Sequence, residues 1–186
     1  MSTTEVFGAG AIRRYHPVLR LLHWLTVVLI IFMFFVGGWI VYFDPGDGPL
    51  KDRLYNLHES TGMLIWVLVL VRIVVRLATG APKLPPPVPL AVRVLASLNQ
   101  LALYLVLLVQ PLVGLADTNA WGFPLRWFGL FTVPSPIGKS PEKVAQSLSD
   151  LHWYGAALLL ALLALHTAGA AYHGLLRRDG VVRHMI

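Results

Sequence analysis

The sequence predicts an all-α fold, a bundle of four transmembrane helices that makes one membrane domain of residues 1–186. Three observations predict it. First, the chain is 56% hydrophobic and 13% charged, with mean hydropathy +0.68, whereas a soluble domain carries about 25% charged residues. Second, the charges are clustered: Leu21 to Phe43, Val94 to Ala116 and Leu151 to Leu176 contain none, and a fourth span of about Leu54 to Leu77 is apolar between Glu59 and Arg72. Third, each span matches the roughly 20 helical residues needed to cross the hydrocarbon, while barrel strands would be shorter and would alternate.

Residues 1–18 read as a short polar lead-in. The first helix, about 19–43, ends at the turn-rich run Asp44-Pro45-Gly46-Asp47-Gly48-Pro49. Its apolar run is longer than the 7–15 residues or so of a signal-peptide core, so a retained span is expected. The second helix covers about 54–77. Lys83-Leu84-Pro85-Pro86-Pro87-Val88-Pro89 then makes a stiff extended connector. The third helix, about 93–116, carries Pro111, where a kink is expected. Its polar residues are Asn99, Gln100 and Gln110. The loop 119–140 holds Trp121, Phe123, Trp127, Phe128 and Phe131; aromatics favour the membrane interface, so this loop is expected to lie on the bilayer surface over one mouth of the bundle. Ser140-Pro141-Glu142 reads as an N-cap, a first-turn proline and a first-turn acid, and the fourth helix is placed at about 145–176, with room for an early start.

The Lys/Arg bias orients the bundle. One face collects Arg13, Arg14, Arg20, Arg72, Arg76, Lys83, Arg93, Arg177, Arg178 and Arg183 against Glu5 and Asp179. The other has Lys51, Arg53, Arg126, Lys139 and Lys143 against seven acids. Both termini are expected in the cytoplasm, with the chain in a membrane and in contact with lipid. The pI near 10 reflects this asymmetry, and nucleic acid is not expected as a partner because no basic stripe is interleaved with aromatics. The absence of cysteine excludes disulfides, iron–sulfur clusters and covalent CxxCH haem.

An imidazole within lipid is costly and normally functional, and four sit in these spans: His23, His58, His152 and His166. His23 lies near the cytoplasmic end of the first helix. His58 and His152 lie near the outer ends of the second and fourth. His166 follows His152 by about 21 Å of helix and about 40° short of four full turns, so the two share a face at different depths. Depth therefore pairs His58 with His152 outside and His23 with His166 inside, which is what two six-coordinate haems require. Any one of these histidines alone would more often be an interhelical hydrogen-bonding residue or an interfacial anchor. A zinc site would need three or four ligands on one point. Gly62, Gly155 and Gly169 stand three or four residues after a histidine, on the ligand's own face, where a flat macrocycle needs side chains absent; small residues also serve ordinary helix packing.

Arg20 and Arg72 lie at the inner level and suit bidentate pairing with haem propionates. Arg76 reads better as a snorkelling arginine, and Lys51 and Arg53 are the outer equivalents. His173, closer still to the cytoplasm, is a quinone or propionate candidate, or equally a solvated helix-end residue. His16 and His184 are expected to be exposed in polar tails. No catalytic residue is singled out.

These residues carry a resemblance. Arg20-Leu21-Leu22-His23-Trp24, Leu57-His58-Glu59-Ser60-Thr61-Gly62, Leu151-His152-Trp153, Leu165-His166-Thr167-Ala168-Gly169-Ala170-Ala171-Tyr172-His173 and Phe128-Gly129-Leu130 resemble, in order and spacing, the bacterial cytochrome b561 family over about 15–180. The resemblance implies a four-helix bundle with two b haems ligated by His23, His58, His152 and His166. It implies electron transfer between the quinone pool and a small donor or acceptor on the outer face. Some members oxidise superoxide and reduce ubiquinone, and His173 matches a position near the quinone in those. Two other readings stand beside this one: an anchor subunit for a hydrogenase or dehydrogenase, and a non-redox transporter with proton-linked histidines.

Overall fold

The computed structural model describes residues 14–43, 46–82, 88–135 and 137–186. Glu5, Arg13, Asp44, Pro45 and Lys83 to Pro87, which figured in the sequence reading, lie outside the described residues. Four helices long and apolar enough to cross a membrane make up most of the rest: α1, Pro17–Tyr42; α2, Pro49–Thr79; α3, Leu90–Ala120; and α4, Glu142–Ala171.

Their ends show why the expected bounds fell short. α1 and α2 each open on a proline in the first turn, where its missing N–H costs nothing. His16 caps α1 by accepting from the Val18 N–H at 3.4 Å. In α2, Pro49 and the first-turn Asp52 mark a start about one turn before Leu54, so Pro49 belongs to the helix and not to the breaker. α3 runs on through Pro111. The cap of α4 is a correction: Pro141, not Ser140, is its N-cap, with no side-chain capping bond. The Ser140 hydroxyl donates instead to the Gly138 carbonyl at 3.1 Å. α4 passes into a π-helical turn, Tyr172–Arg177, that ends on Arg178 in the left-handed region.

α1 packs on α2, α2 on α3 and α3 on α4. A core of Ile30, Ile65, Val69, Leu103, Leu107 and Leu159 closes the middle. Leu21, Val28, Ile31, Phe35, Leu101, Leu105, Val109, Leu158 and Leu160 point outward. Helices apolar on all sides suit a lipid surround, where backbone groups are satisfied within each helix.

The two ends of the bundle are closed differently. Between α3 and α4 a short antiparallel hairpin forms, β1 Arg126–Trp127 and β2 Phe131–Thr132. It lies on α2: the Trp127 indole N–H donates to the Ser60 carbonyl at 3.1 Å, and the Phe128 N–H to the Ser60 hydroxyl at 2.8 Å. Asn56 Nδ2 donates to the Arg126 carbonyl at 2.6 Å. At the other end the C-terminal tail folds back onto the start of α1. The Tyr15 N–H donates to the His184 carbonyl at 3.0 Å, Trp24 Nε1 to the Met185 carbonyl at 3.2 Å and Arg20 Nη1 to the Ile186 carbonyl at 2.6 Å. This docking corrects the reading of His184 as exposed: it is buried, at 8%, because the tail packs against α1 and does not enter water.

Candidate functional site

Each pair of histidines spans two helices. His23 on α1 faces His166 on α4 with ring centres 6.3 Å apart and planes at 71°. His58 on α2 faces His152 on α4 with centres 6.2 Å apart at 76°. The structure thus brings together the residues paired by depth. α4 packs along α3, not along α1 or α2, so both pairs face each other across the wider seams of the bundle.

These distances test whether a haem fits. A metal bound by two opposed imidazoles, with bonds of about 2.0 Å and about 1.1 Å from each nitrogen to its ring centre, holds the centres about 6.2 Å apart. Both pairs stand at that separation. The Nδ1 atoms of His23 and His58 are buried without a hydrogen-bond partner among the described residues. A buried polar atom of this kind calls for an explanation, and the protein's own network does not use it. Among the described residues no three His, Asp or Glu side chains converge as a metal cluster, which is the arrangement zinc needs.

Glycines on neighbouring helices shape the pair at the hairpin end. A Cβ at Gly37 of α1 would stand 3.1 Å from His58 Cε1, and one at Gly114 of α3 would stand 2.9 Å from His152 Cε1. The sequence reading missed both. They follow no histidine in the chain and are brought to the rings by packing alone. A signal was present, since glycine inside an apolar helix costs about 1 kcal/mol against alanine and so marks a close approach. The glycines singled out from sequence have other neighbours. A side chain at Gly62 would touch Met33 Cε at 3.4 Å, one at Gly155 would run into the Gln110 amide, and one at Gly169 would meet nothing within 4 Å.

The hairpin end is stitched together by polar bonds. Gln110 Nε2 donates to the His152 carbonyl at 2.6 Å and lies 3.2 Å from its Nδ1. Thr118 donates to Glu59 Oε1 at 2.8 Å, and Ser149 to Asp117 Oδ1 at 2.7 Å. Lys51 pairs with Asp47 at 2.9 Å, and Arg53 lines a shallow depression with Asp52, Asn56, Leu57 and Phe128.

At the tail end, the Arg72 guanidinium lies over the Tyr104 ring, 5.5 Å from its centre, and its charge bears on both His23 and His166. Arg20 is half-buried, and its Nε has no partner there. Arg76 reaches Gln100 Oε1 at 3.3 Å and lies over the Tyr15 ring at 5.7 Å. His173 is buried, at 9%, and not solvated. Its Nδ1 is 2.7 Å from Asp179 Oδ2, which also receives Arg177 Nε at 3.4 Å. Burial alone would raise the Asp179 carboxyl. The His173 hydrogen bond, the Val181 N–H and the nearby cations outweigh it and hold the group below its usual range.

Comparison with known proteins agrees with this architecture. The profile of the prokaryotic cytochrome b561 family matches residues 14–186. Cytochrome b561 homolog 2 of Escherichia coli (strain K12) is 29% identical over 93% of this chain and 91% of its own. Cytochrome b561 homolog 1 of the same strain is 25% identical over 89% and 92%. A Yersinia pestis protein named "Probable superoxide oxidase CybB" is 26% identical over 89% and 91%. Four membrane-crossing helices and a family match over nearly the whole chain make this protein a member of the prokaryotic cytochrome b561 family, a multi-pass electron-transfer protein of the bacterial inner membrane whose family binds haem b.

Proposed function

We propose that this protein carries electrons across the inner membrane through two b haems, one held by His58 and His152 and the other by His23 and His166. The observation that carries the reading is the pair of imidazole pairs, 6.2 and 6.3 Å between ring centres, at two levels of one bundle. Haem held by these histidines would supply a one-electron couple at each level. The chain's own residues fix the rings, exclude water with the core of Ile30, Ile65, Val69 and Leu103, and set the local charge. Arg72 and the unpartnered Nε of Arg20 favour anionic propionates at the inner level. With both termini cytoplasmic, as the basic-residue bias implies, the hairpin end faces outward.

The proposed acceptor is ubiquinone, taken up near His173 at the cytoplasmic end. The proposed donor is a small molecule at the hairpin end, with superoxide the first to test in view of the Yersinia relative's name. The balance is two superoxide ions giving two dioxygen molecules and two electrons, which with two protons reduce ubiquinone to ubiquinol.

The test is the purified protein in detergent, expressed with haem supplementation, with haem per chain and a dithionite-reduced minus oxidised spectrum. Two low-spin b haems per chain are expected, followed by their reduction when superoxide is generated enzymatically and by reoxidation with a ubiquinone analogue. A colourless protein would overturn the reading in favour of a histidine-linked transporter. Haem reduction only by a co-purifying dehydrogenase would overturn the small-donor assignment in favour of an anchor subunit.

A further inference from the structure

α3 carries none of the four paired histidines, yet it contacts one of them directly. Gln110 Nε2 donates to the His152 carbonyl at 2.6 Å and comes within 3.2 Å of the ring Nδ1. One turn further along the same face, Gly114 lies against the ring's Cε1 and Nδ1 edge, where a Cβ would stand 2.9 and 3.2 Å away. On α4, Gly155 leaves the space that the Gln110 amide fills, since a Cβ there would collide with the amide oxygen. Three residues on two helices are thus arranged around one edge of one imidazole. His58, the other ring of the pair, has its Nδ1 buried with no partner among the described residues.

We infer that Gln110 is the positioning residue for His152: it fixes the rotation of this ring and tunes the electron affinity of the haem proposed at the hairpin end. The inference rests on the bis-histidine reading above. A histidine that ligates a metal through one ring nitrogen has its orientation and basicity set by what the other nitrogen meets. As placed, the amide nitrogen is the atom at the ring and donates to Nδ1; a haem held through Nε2 would require a protonated Nδ1, and turning the amide over brings its oxygen there to accept that proton. As placed, the same nitrogen also donates to the His152 carbonyl, which holds the side chain beside the ring. The sequence gives no hint of this pairing, because residues 110 and 152 lie on different helices and meet only when α3 packs on α4.

The test uses the haem-loaded protein in detergent and three variants. Gln110→Met keeps the length and removes both hydrogen bonds. Gln110→Glu replaces the amide with a carboxylate that can accept from the protonated Nδ1 of a haem-bound ring. Asn99→Leu alters another polar residue of α3 as a control. The readouts are potentiometric midpoints of the two haems and the low-spin ferric EPR signals, which report the orientation of the ligand rings. Gln110→Met is expected to move one midpoint by about 59 mV, a tenfold change in relative ligand affinity between oxidation states, and to move one EPR signal, leaving the other haem unchanged. Gln110→Glu is expected to restore the EPR signal, and Asn99→Leu to move neither midpoint. If Gln110→Met does not accumulate in the membrane, Gly155→Ala, whose methyl takes the amide's place, should give the same one-sided shift. Lowered thermal stability with both midpoints and both EPR signals unmoved would reduce Gln110 to a packing role and overturn the inference. A wild-type protein without two haems would overturn the underlying reading instead, so the two failures are distinguishable.

Discussion

Replacing Gly114 with alanine places a methyl group 2.9 Å from His152 Cε1 and 3.2 Å from its Nδ1, where ordinary contact begins at 3.4 Å. The ring must therefore retreat by about 0.5 Å, more than the tolerance of about 0.2 Å on a metal–ligand distance. An offset of that size in a ligand is expected to weaken haem binding by at least the 10- to 100-fold typical of lost ligand support. Gly37→Ala is the graded companion. Its methyl would stand 3.1 Å from His58 Cε1, so the displacement is about 0.3 Å and the loss smaller. Gly38→Ala, adjacent in the same helix, meets only Tyr42 at 4.0 Å and should be silent. All three exchanges favour the helix by about 1 kcal/mol, so loss of cofactor would not arise from helix weakening. The assay is haem per chain after detergent purification, with the reduced spectrum. Gly114→Ala should fall from two haems toward one and Gly37→Ala should lie between it and wild type. Two haems with unaltered midpoints in Gly114→Ala would refute the cradle argument.

Three further outcomes follow from the geometry. His166→Ala removes the partner of His23 and should leave one haem per chain, with no electron reaching a quinone analogue in proteoliposomes; two retained haems would break the assigned pairing. Ser60→Ala removes the acceptor of the Phe128 N–H, a 2.8 Å bond, and should cost about 1 kcal/mol, read as a lower melting temperature and faster proteolysis at the hairpin. Asp179 should make docking of the C-terminal tail acid-sensitive. Its folded carboxyl is held below the ordinary 3.8, so its contribution is present above that value and is lost as pH falls through the lower folded one. Amide exchange at 180–186 should rise below about pH 4 in the wild type, and Asp179→Asn should show that raised exchange at neutral pH.

The membrane and the four spans were legible in the sequence because lipid imposes a one-dimensional rule: about 20 apolar residues per crossing, with backbone groups satisfied inside each helix. The histidine pairing was legible for a related reason, since helical rise converts residue number into depth and His152 and His166 fall on one face. Helix starts were read a turn late at Pro49, because a proline that looks like a breaker is also at home in a first helical turn. What depth leaves undetermined is the angle around each helix. That angle decided that Gly37 and Gly114, and not Gly62, lie against the rings of His58 and His152. It brought Gln110 to His152, and it let the tail bury His184 against α1. Membrane helices associate by close side-chain packing and interhelical hydrogen bonds. Those contacts depend on rotation and register between helices that are remote in the chain, and only the assembled bundle fixes them.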